Sequence, residues 1–111
     1  SKMYNLAASP NYLGIFELDM AGNVLYSRQA QSAEIVGQNF FDQVADFENA
    51  PDFRRRFRNF ISSHNFKEHF SFECRSMQGN FPVRVMMLRA TEKSESRSSD
   101  IVILDIRKNE F

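Results

Sequence analysis

Residues Gly37 to Phe60 read GQNFFDQVADFENAPDFRRRFRNF, a run with six phenylalanines that ends in four closely spaced arginines. Proline is favoured in the first turn of a helix, so Pro51 predicts that a helix starts there. The apolar residues of this segment recur at i, i+4, i+7 and i+8, which is the spacing of one helical face: Phe53, Phe57, Phe60 and Ile61. The other faces carry Arg54, Arg55, Arg56 and Arg58. We predict a buried phenylalanine stripe and a basic face that is either solvated or available to an anionic partner.

The stretch before this helix predicts shorter helical turns. Between Gln29 and Ala45 the apolar residues recur at helical spacing, and Gly37 interrupts them. Asn39 is suited to cap the segment FFDQVA, because its side chain accepts hydrogen bonds from the free backbone amides of a helix start. A helix this short is not stable alone, so we expect it to pack against a sheet.

Strand patterns lie on both sides of the helical region. Asn11–Leu18 alternates and is followed by turn residues and by Val24–Ser27, which predicts a hairpin. After the long helix, apolar residues alternate again, and one face of this strand is predicted to hold Phe66, Phe70, Phe72 and Cys74. Phe81–Ala90 is predicted to run back beside it.

The end of the chain combines a polar segment with its most apolar strand. Glu92–Asp100 contains no apolar residue and predicts a flexible hairpin tip. Ile101–Ile106 reads IVILDI and is expected to be central or well covered. The element order predicts an α+β domain whose antiparallel sheet has helices crossing one face.

Composition excludes several classes of function. The 14 basic and 14 acidic residues balance, so no net field attracts nucleic acid or an anionic membrane. The one cysteine, Cys74, excludes an internal disulfide, and we find no Cys/His cluster for a metal. There is no apolar run of membrane-spanning length and no signal-peptide pattern. We therefore expect a cytoplasmic domain with no metal, no cofactor, and no nucleic-acid or membrane partner.

No catalytic constellation can be assembled from the sequence. A Ser/His/Asp set, a pair of carboxylates in a plausible cleft, and a glycine-rich phosphate loop are all missing. We expect no enzymatic activity. Ser1 and Lys2 before Met3 resemble the remnant of a purification tag, so we expect a module cut from a larger chain.

The sequence resembles a PAS domain, and within that family it is most similar to the photoactive yellow protein branch. The resemblance covers most of the chain, and the segments that carry it are LGIFELDMAGNVL (Leu13–Leu25), VGQNFFDQVA (Val36–Ala45), the Pro51-Asp52-Phe53 helix start, and FSFEC with PVRVMMLRA up to Ala90. It implies a five-stranded antiparallel sheet in the order 2-1-5-4-3, with short helices and one longer helix on one face. It also implies a single PAS domain over residues 12–107, an N-terminal segment or cap over 1–11, and a tail over 108–111.

For chemistry, the resemblance implies mainly what this chain lacks. The photoreceptor branch attaches a hydroxycinnamoyl chromophore to a cysteine, and the corresponding position here is Phe47, which has no thiol. The two side chains that bond the chromophore in that branch correspond to Ser27 and Gln31. Flavin-binding relatives carry a reactive cysteine where this chain has Phe40 and Phe41. Haem-binding relatives usually have a histidine on the long helix, and this one contains none.

Two functions remain open at this stage. The first is a sensor whose helices and sheet enclose a site for an apolar ligand, lined by Phe16, Leu18, Ser27, Gln31, Phe40, Val44, Phe47, Phe72 and Cys74. The second is a module without ligand that forms a homodimer and relays a signal to an effector domain or protein. The dimer contact would use the N-terminal residues Met3, Tyr4 and Leu6, and either Met86 and Leu88 or Met87 on the outer sheet face.

Overall fold

The computed structural model describes residues 10–28 and 32–110. In chain order its elements are β1 (Gly14–Leu18), β2 (Val24–Ser27), α1 (Ser32–Ile35), a π-helical turn (Phe40–Val44), α2 (Ala50–Ser62), β3 (Lys67–Ser76), β4 (Gly79–Lys93) and β5 (Ser98–Lys108). The strands form one antiparallel sheet of five in the order β2-β1-β5-β4-β3. The predicted α+β class and strand order 2-1-5-4-3 are confirmed, with β5 in the centre.

The helices pack against the inner face of the sheet. Helix α2 presents the predicted stripe, in which Phe53, Phe57 and Phe60 are at most 2% exposed. Opposite this stripe the sheet contributes its own buried set: Phe16, Leu18, Val83, Val85, Met87, Val102, Leu104 and Ile106. The register pairs Met86 with Asp105 and Leu88 with Ile103. Because side chains alternate along a strand, Met87 belongs to the inner face, and Met86 and Leu88 belong to the outer face.

The β1–β2 turn and the π-helical turn are joined by Asn39. Its Oδ1 accepts from the amides of Phe41 and Asp42, as predicted for a cap, and its Nδ2 donates to the carbonyl of Ala21 at 3.0 Å. Gly22 lies in this turn with φ of +93°, where a Cβ would be 2.8 Å from the Phe41 ring. Only glycine fits this position without strain.

The start of α2 is tied to strand β3 through Asn49. Its side chain makes no capping bond to the helix. Instead its Nδ2 donates to the carbonyl of Glu73 at 2.8 Å, and its Oδ1 accepts from the amide of Arg75 at 2.9 Å. The amide of Glu48 also donates to the carbonyl of Arg75 at 2.8 Å. These bonds cover the outer edge of β3 at its C-terminal end, as an additional strand would.

The other end of α2 is held by Arg89 on strand β4. Its guanidinium donates from one nitrogen to the carbonyls of Phe60 and Ile61, at 3.1 and 2.9 Å. The same group lies 5.5 Å from the centre of the Phe60 ring. A cation at a helix C-terminus also interacts favourably with the helix dipole. The sheet therefore stabilises the last turn of α2, whose final carbonyls have no partner within the helix.

The basic face of α2 makes local contacts. Arg54 pairs with Asp42 at 3.0 Å, and Arg55 pairs with Asp52 at 3.0 Å. The guanidinium of Arg56 lies over the ring of Phe70, 3.8 Å from its centre. Exposed ion pairs of this kind contribute between about 0 and 1 kcal/mol each.

One prediction about this region is wrong, and another gives the wrong extent. Phe66 is 68% exposed, because it precedes the first residue of β3 and lies beyond the edge of the core. Glu92–Asp100 does form the tip of a hairpin, but the turn is shorter than predicted, since β4 continues to Lys93 and β5 starts at Ser98. Its register is set by cross-strand pairs such as Thr91 with Asp100, and it needs no buried side chains.

Candidate functional site

Phe47 lies at the centre of an aromatic cluster between the helices and the sheet. It is 7% exposed. Its ring centre is 4.9 Å from that of Tyr12, 5.9 Å from that of Phe53 and 6.0 Å from that of Phe72. The contacts with Tyr12 and Phe53 are edge-to-face, a geometry that aromatic rings favour. Protein side chains therefore surround this ring where the sequence predicted a ligand.

The structure brings most of the predicted pocket residues into one core. The buried members are Phe16, Leu18, Ser27, Phe40, Val44, Phe47 and Cys74, and Phe72 is half-buried. Ser27 is opposite Phe16 in the β1–β2 ladder, so its position is set by the hairpin register. Gln31 lies outside the described residues, as do Met3, Tyr4 and Leu6. That this set binds a ligand stays a prediction.

A polar pair lies within this apolar core. The side chains of Tyr12 and Cys74 interact here, and each affects the pKa of the other. Burial raises the pKa of Cys74 from 9.0 to about 11, and burial also raises the pKa of Tyr12 above its usual value. Both groups are therefore neutral near pH 7. A neutral thiol is a poor nucleophile, so Cys74 acts here as a small buried side chain with a hydrogen-bonding atom.

Sequence reasoning did not include Tyr12, Phe41 or Phe53 in the site. The position of Tyr12 on the same face as Phe16 and Leu18 was a usable signal, because all three are even-numbered positions of one alternating segment. The ring of Phe41 contacts Phe57 of the α2 stripe, with centres 4.9 Å apart. That contact depends on how the π-helical turn packs on α2, which local spacing does not reveal.

The outer face of the sheet carries a second candidate site, an apolar patch. We define the outer apolar patch as Ile15, Met86, Leu88 and Ile103, all half-buried. The register pairs Leu88 with Ile103, and it places Ile15 and Met86 on either side of Asp105. The ring of Tyr26, 50% exposed, belongs to edge strand β2 and pairs with Glu17 of β1. Within residues 10–28 and 32–110 the helices pack on the opposite face of the sheet, so they do not cover this patch.

A groove of about 500 Å³ adjoins the outer apolar patch, and its lining includes His69, Arg84, Met86, Asp105 and Arg107. Asp105 is 8% exposed, and Arg107 donates to both of its oxygens at 3.0 Å. The hydrogen bonds and charge of Asp105 raise the pKa of Arg107, which stays a cation. Arg84 is directly opposite Arg107 in the ladder, so the rim of the groove is positively charged.

Within the described ranges, no three metal-ligating side chains come together, and no helix is long and apolar enough to cross a membrane.

Comparison with known proteins gives matches among solved structures. No protein-family model and no curated protein sequence matches the chain. The photoactive yellow protein domain of the sensor histidine kinase Ppr from Rhodospirillum centenum aligns with a TM-score of 0.61 and 22% identity, covering 94% of this chain and 90% of that domain. The PAS domain of the Cronobacter turicensis quorum-sensing receptor RpfR, in complex with BDSF, aligns with a TM-score of 0.59 and 15% identity, covering 94% and 99%.

Both alignments cover 94% of this chain. With the strand order β2-β1-β5-β4-β3 and the helices on one face, these alignments lead to one conclusion about architecture. The chain has the PAS fold.

Proposed function

We propose that the chain is a PAS signalling module of a larger bacterial signal-transduction or regulatory protein, that it dimerises, and that it relays a signal to an effector domain without a covalently bound chromophore. The module spans residues 12–107, with an N-terminal segment or cap over 1–11 and a tail over 108–111. We place it in the cytoplasm and assign it no enzymatic activity.

One observation supports this proposal above the others: the position proposed to correspond to the chromophore-bearing cysteine of the photoreceptor branch holds a buried ring. Phe47 contacts Tyr12, Phe53 and Phe72 at ring-centre distances of 4.9 to 6.0 Å. A side chain without a thiol cannot form a thioester. The ring also occupies volume that a bound molecule would need, which favours signalling through protein contacts.

The outer apolar patch is the surface that we propose for dimerisation, together with the N-terminal segment that includes Met3, Tyr4 and Leu6. An apolar group on a sheet face away from the helices gains from association, because each Å² of apolar area removed from water contributes about 25 cal/mol. The patch is rimmed by charged residues, an arrangement typical of protein interfaces.

Met86→Lys tests the proposed surface. Met86 belongs to the patch, and the new ammonium would be opposite Asp105, so the fold should tolerate it. In sedimentation velocity at about 10 µM, we expect the wild type to be a dimer and the variant to be mainly monomer. Met77→Lys is the matched control, because Met77 is 89% exposed in the β3–β4 turn. An unchanged assembly in Met86→Lys, or a wild type that is monomeric at about 1 mM, would reject the surface.

The second candidate function is non-covalent sensing of an apolar ligand or metabolite within the core. The observation that favours it is that the hydroxyl of Tyr12 and the thiol of Cys74 are buried together, which gives the apolar interior a polar contact point. The RpfR domain was solved with BDSF, so a PAS fold of this size can hold a small molecule. In this chain a ligand would have to displace aromatic rings.

Native mass spectrometry of protein purified without added ligand separates the two functions. The dimerisation proposal predicts a mass equal to that of the polypeptide alone and no absorption band in the visible range. A stoichiometric extra mass would favour the sensing function. A thermal shift on adding a metabolite library, with no extra mass in the purified protein, would indicate a ligand that is lost during purification.

A further inference from the structure

The free edge of strand β3 is an interaction surface that the function above does not use. Among the strands that the structure describes, β3 is the last of the sheet and pairs only with β4. At its C-terminal end, Glu73 and Arg75 direct backbone groups away from β4, towards Asn49 and Glu48. In an antiparallel strand such groups alternate, so Lys67, His69 and Ser71 also direct their backbone amides and carbonyls outward.

These outward groups have no hydrogen-bond partner among residues 10–28 and 32–110. The side chains of Lys67, His69, Ser71 and Glu73 are all exposed. An edge of this kind is a template for adding another strand. The edge is thus closed by Asn49 and Glu48 from the carbonyl of Glu73 to Arg75, and it is open from Lys67 to the amide of Glu73.

We propose that the open edge of β3 pairs antiparallel with the same edge of a second copy of this chain, with Phe70 at the two-fold axis, so that two sheets of five strands become one continuous sheet. In this register Lys67 is directly opposite Glu73 of the second copy, and His69 is opposite its Ser71. The outward-directed residues of the two strands then face each other, which gives about six backbone hydrogen bonds between the copies.

The charges favour this register over its neighbour. Lys67 and Glu73 are equidistant from Phe70 and lie on the same face, so the pairing forms two cross-strand ion pairs. Two adjacent registers are also allowed. The one centred on Ser71 would place Lys67 opposite Arg75, which is a like-charge contact, and the one centred on His69 would place Lys67 opposite Ser71, without an ion pair. Charged side chains on an edge strand usually oppose pairing with another strand. In this antiparallel register, however, Lys67 and Glu73 of the two copies attract each other.

Phe70 adds an aromatic contact at the centre. It is half-buried, and the guanidinium of Arg56 lies 3.8 Å from its ring centre. At the two-fold axis Phe70 would form a non-hydrogen-bonded pair with its own copy, the closer of the two kinds of antiparallel pair. Glu68 would be opposite Phe72 of the second copy. That charged contact weakens the interface and makes the association reversible.

The experiment separates this edge from the outer apolar patch. Met86→Lys serves as the background, because it disables the patch and leaves β3 unchanged. Sedimentation equilibrium from about 10 µM to about 1 mM should show that Met86→Lys still self-associates. Adding Lys67→Glu or Glu73→Lys creates like-charge contacts twice per interface and should raise the dissociation constant about tenfold or more. The double exchange Lys67→Glu with Glu73→Lys should restore association.

A backbone variant provides an independent test. Ser71→Pro removes an outward amide and leaves the β3–β4 ladder intact, because the amide of residue 71 does not face β4. We expect it to abolish edge association without a change in the circular dichroism spectrum, and we expect the Ser71→Thr control to associate normally. Amide hydrogen exchange at His69, Ser71 and Glu73 should slow with increasing protein concentration.

The outcomes distinguish the two proposals. If Met86→Lys is monomeric over the whole range while the wild type is a dimer, the edge inference fails and the outer-face proposal stands. If the single charge exchanges have no effect, or the double exchange does not restore association, the register is refuted. If neither Met86→Lys nor the charge exchanges change a stable dimer, both surfaces are refuted.

Discussion

Truncating Phe47 to alanine measures whether the core is filled by this ring. Phe47 is 7% exposed and contacts three rings at 4.9, 5.9 and 6.0 Å, so nearly all of its side chain is packed. A phenylalanine truncated at such a site lowers the free energy of unfolding by about 3–5 kcal/mol, from the lost apolar transfer energy and the cavity left behind. For a chain of 111 residues this corresponds to a fall in Tm of about 13–20 °C.

Urea denaturation followed by circular dichroism is the assay, with Phe66→Ala as the matched control. Phe66 is 68% exposed, so its truncation should change the free energy of unfolding by less than about 0.5 kcal/mol. A cavity left by Phe47→Ala should bind benzene, which would raise the Tm of the variant and leave that of the wild type unchanged. A loss below about 1 kcal/mol in Phe47→Ala would show that the ring is not tightly packed, and would refute the conclusion that protein side chains fill the site.

Three further predictions concern the helix, the hairpin turn and the buried thiol. Phe57→Ala should lower the free energy of unfolding by about 3–5 kcal/mol, while Arg55→Ala, whose ion pair is exposed, should change it by less than about 0.5 kcal/mol in the same urea titration. Gly22→Ala should cost about 2–4 kcal/mol, because the new Cβ needs a positive φ and meets the Phe41 ring at 2.8 Å; a neutral result in thermal denaturation would contradict this packing. The raised pKa of Cys74 means that the folded state holds its proton more tightly than the unfolded state, so stability should fall as pH rises from about 9 to about 11. Urea midpoints across that range should decrease less in Cys74→Ala, and an equal decrease would contradict this assignment.

Local patterns in the sequence were sufficient to predict the helices and strands that bury one face. The α2 stripe was predictable because Phe53, Phe57 and Phe60 repeat at helical spacing. Strand β5 was predictable as central because every residue of Ile101–Ile106 except Asp105 is apolar. The same reasoning failed at Phe66, where alternation continued past the point at which the core ends. The hydrophobic pattern also gave no signal that β4 and β5 extend into the polar hairpin, because cross-strand hydrogen bonds form these strand ends without buried side chains.

The parts of the site that depend on long-range contacts were not predictable from spacing. Asn49 is a residue type that often caps helices. Its side chain instead forms hydrogen bonds with the backbone of Glu73 and Arg75, more than 20 positions away in the chain. Whether Met86 or Met87 faces the core depended on the register of β4 against β5. The strand order came from the resemblance, since alternation shows that strands exist and does not show how they are arranged.

The attachment of Arg89 to the end of α2 has a consequence for how this helix can move relative to the sheet. One guanidinium nitrogen holds two carbonyls at 3.1 and 2.9 Å, so the helix end cannot drift from β4 by small increments while both contacts persist. Charge-assisted hydrogen bonds weaken steeply once their geometry is lost. Displacement of α2 relative to the sheet would therefore be cooperative: both hydrogen bonds would be lost together, and the helix end would not shift gradually.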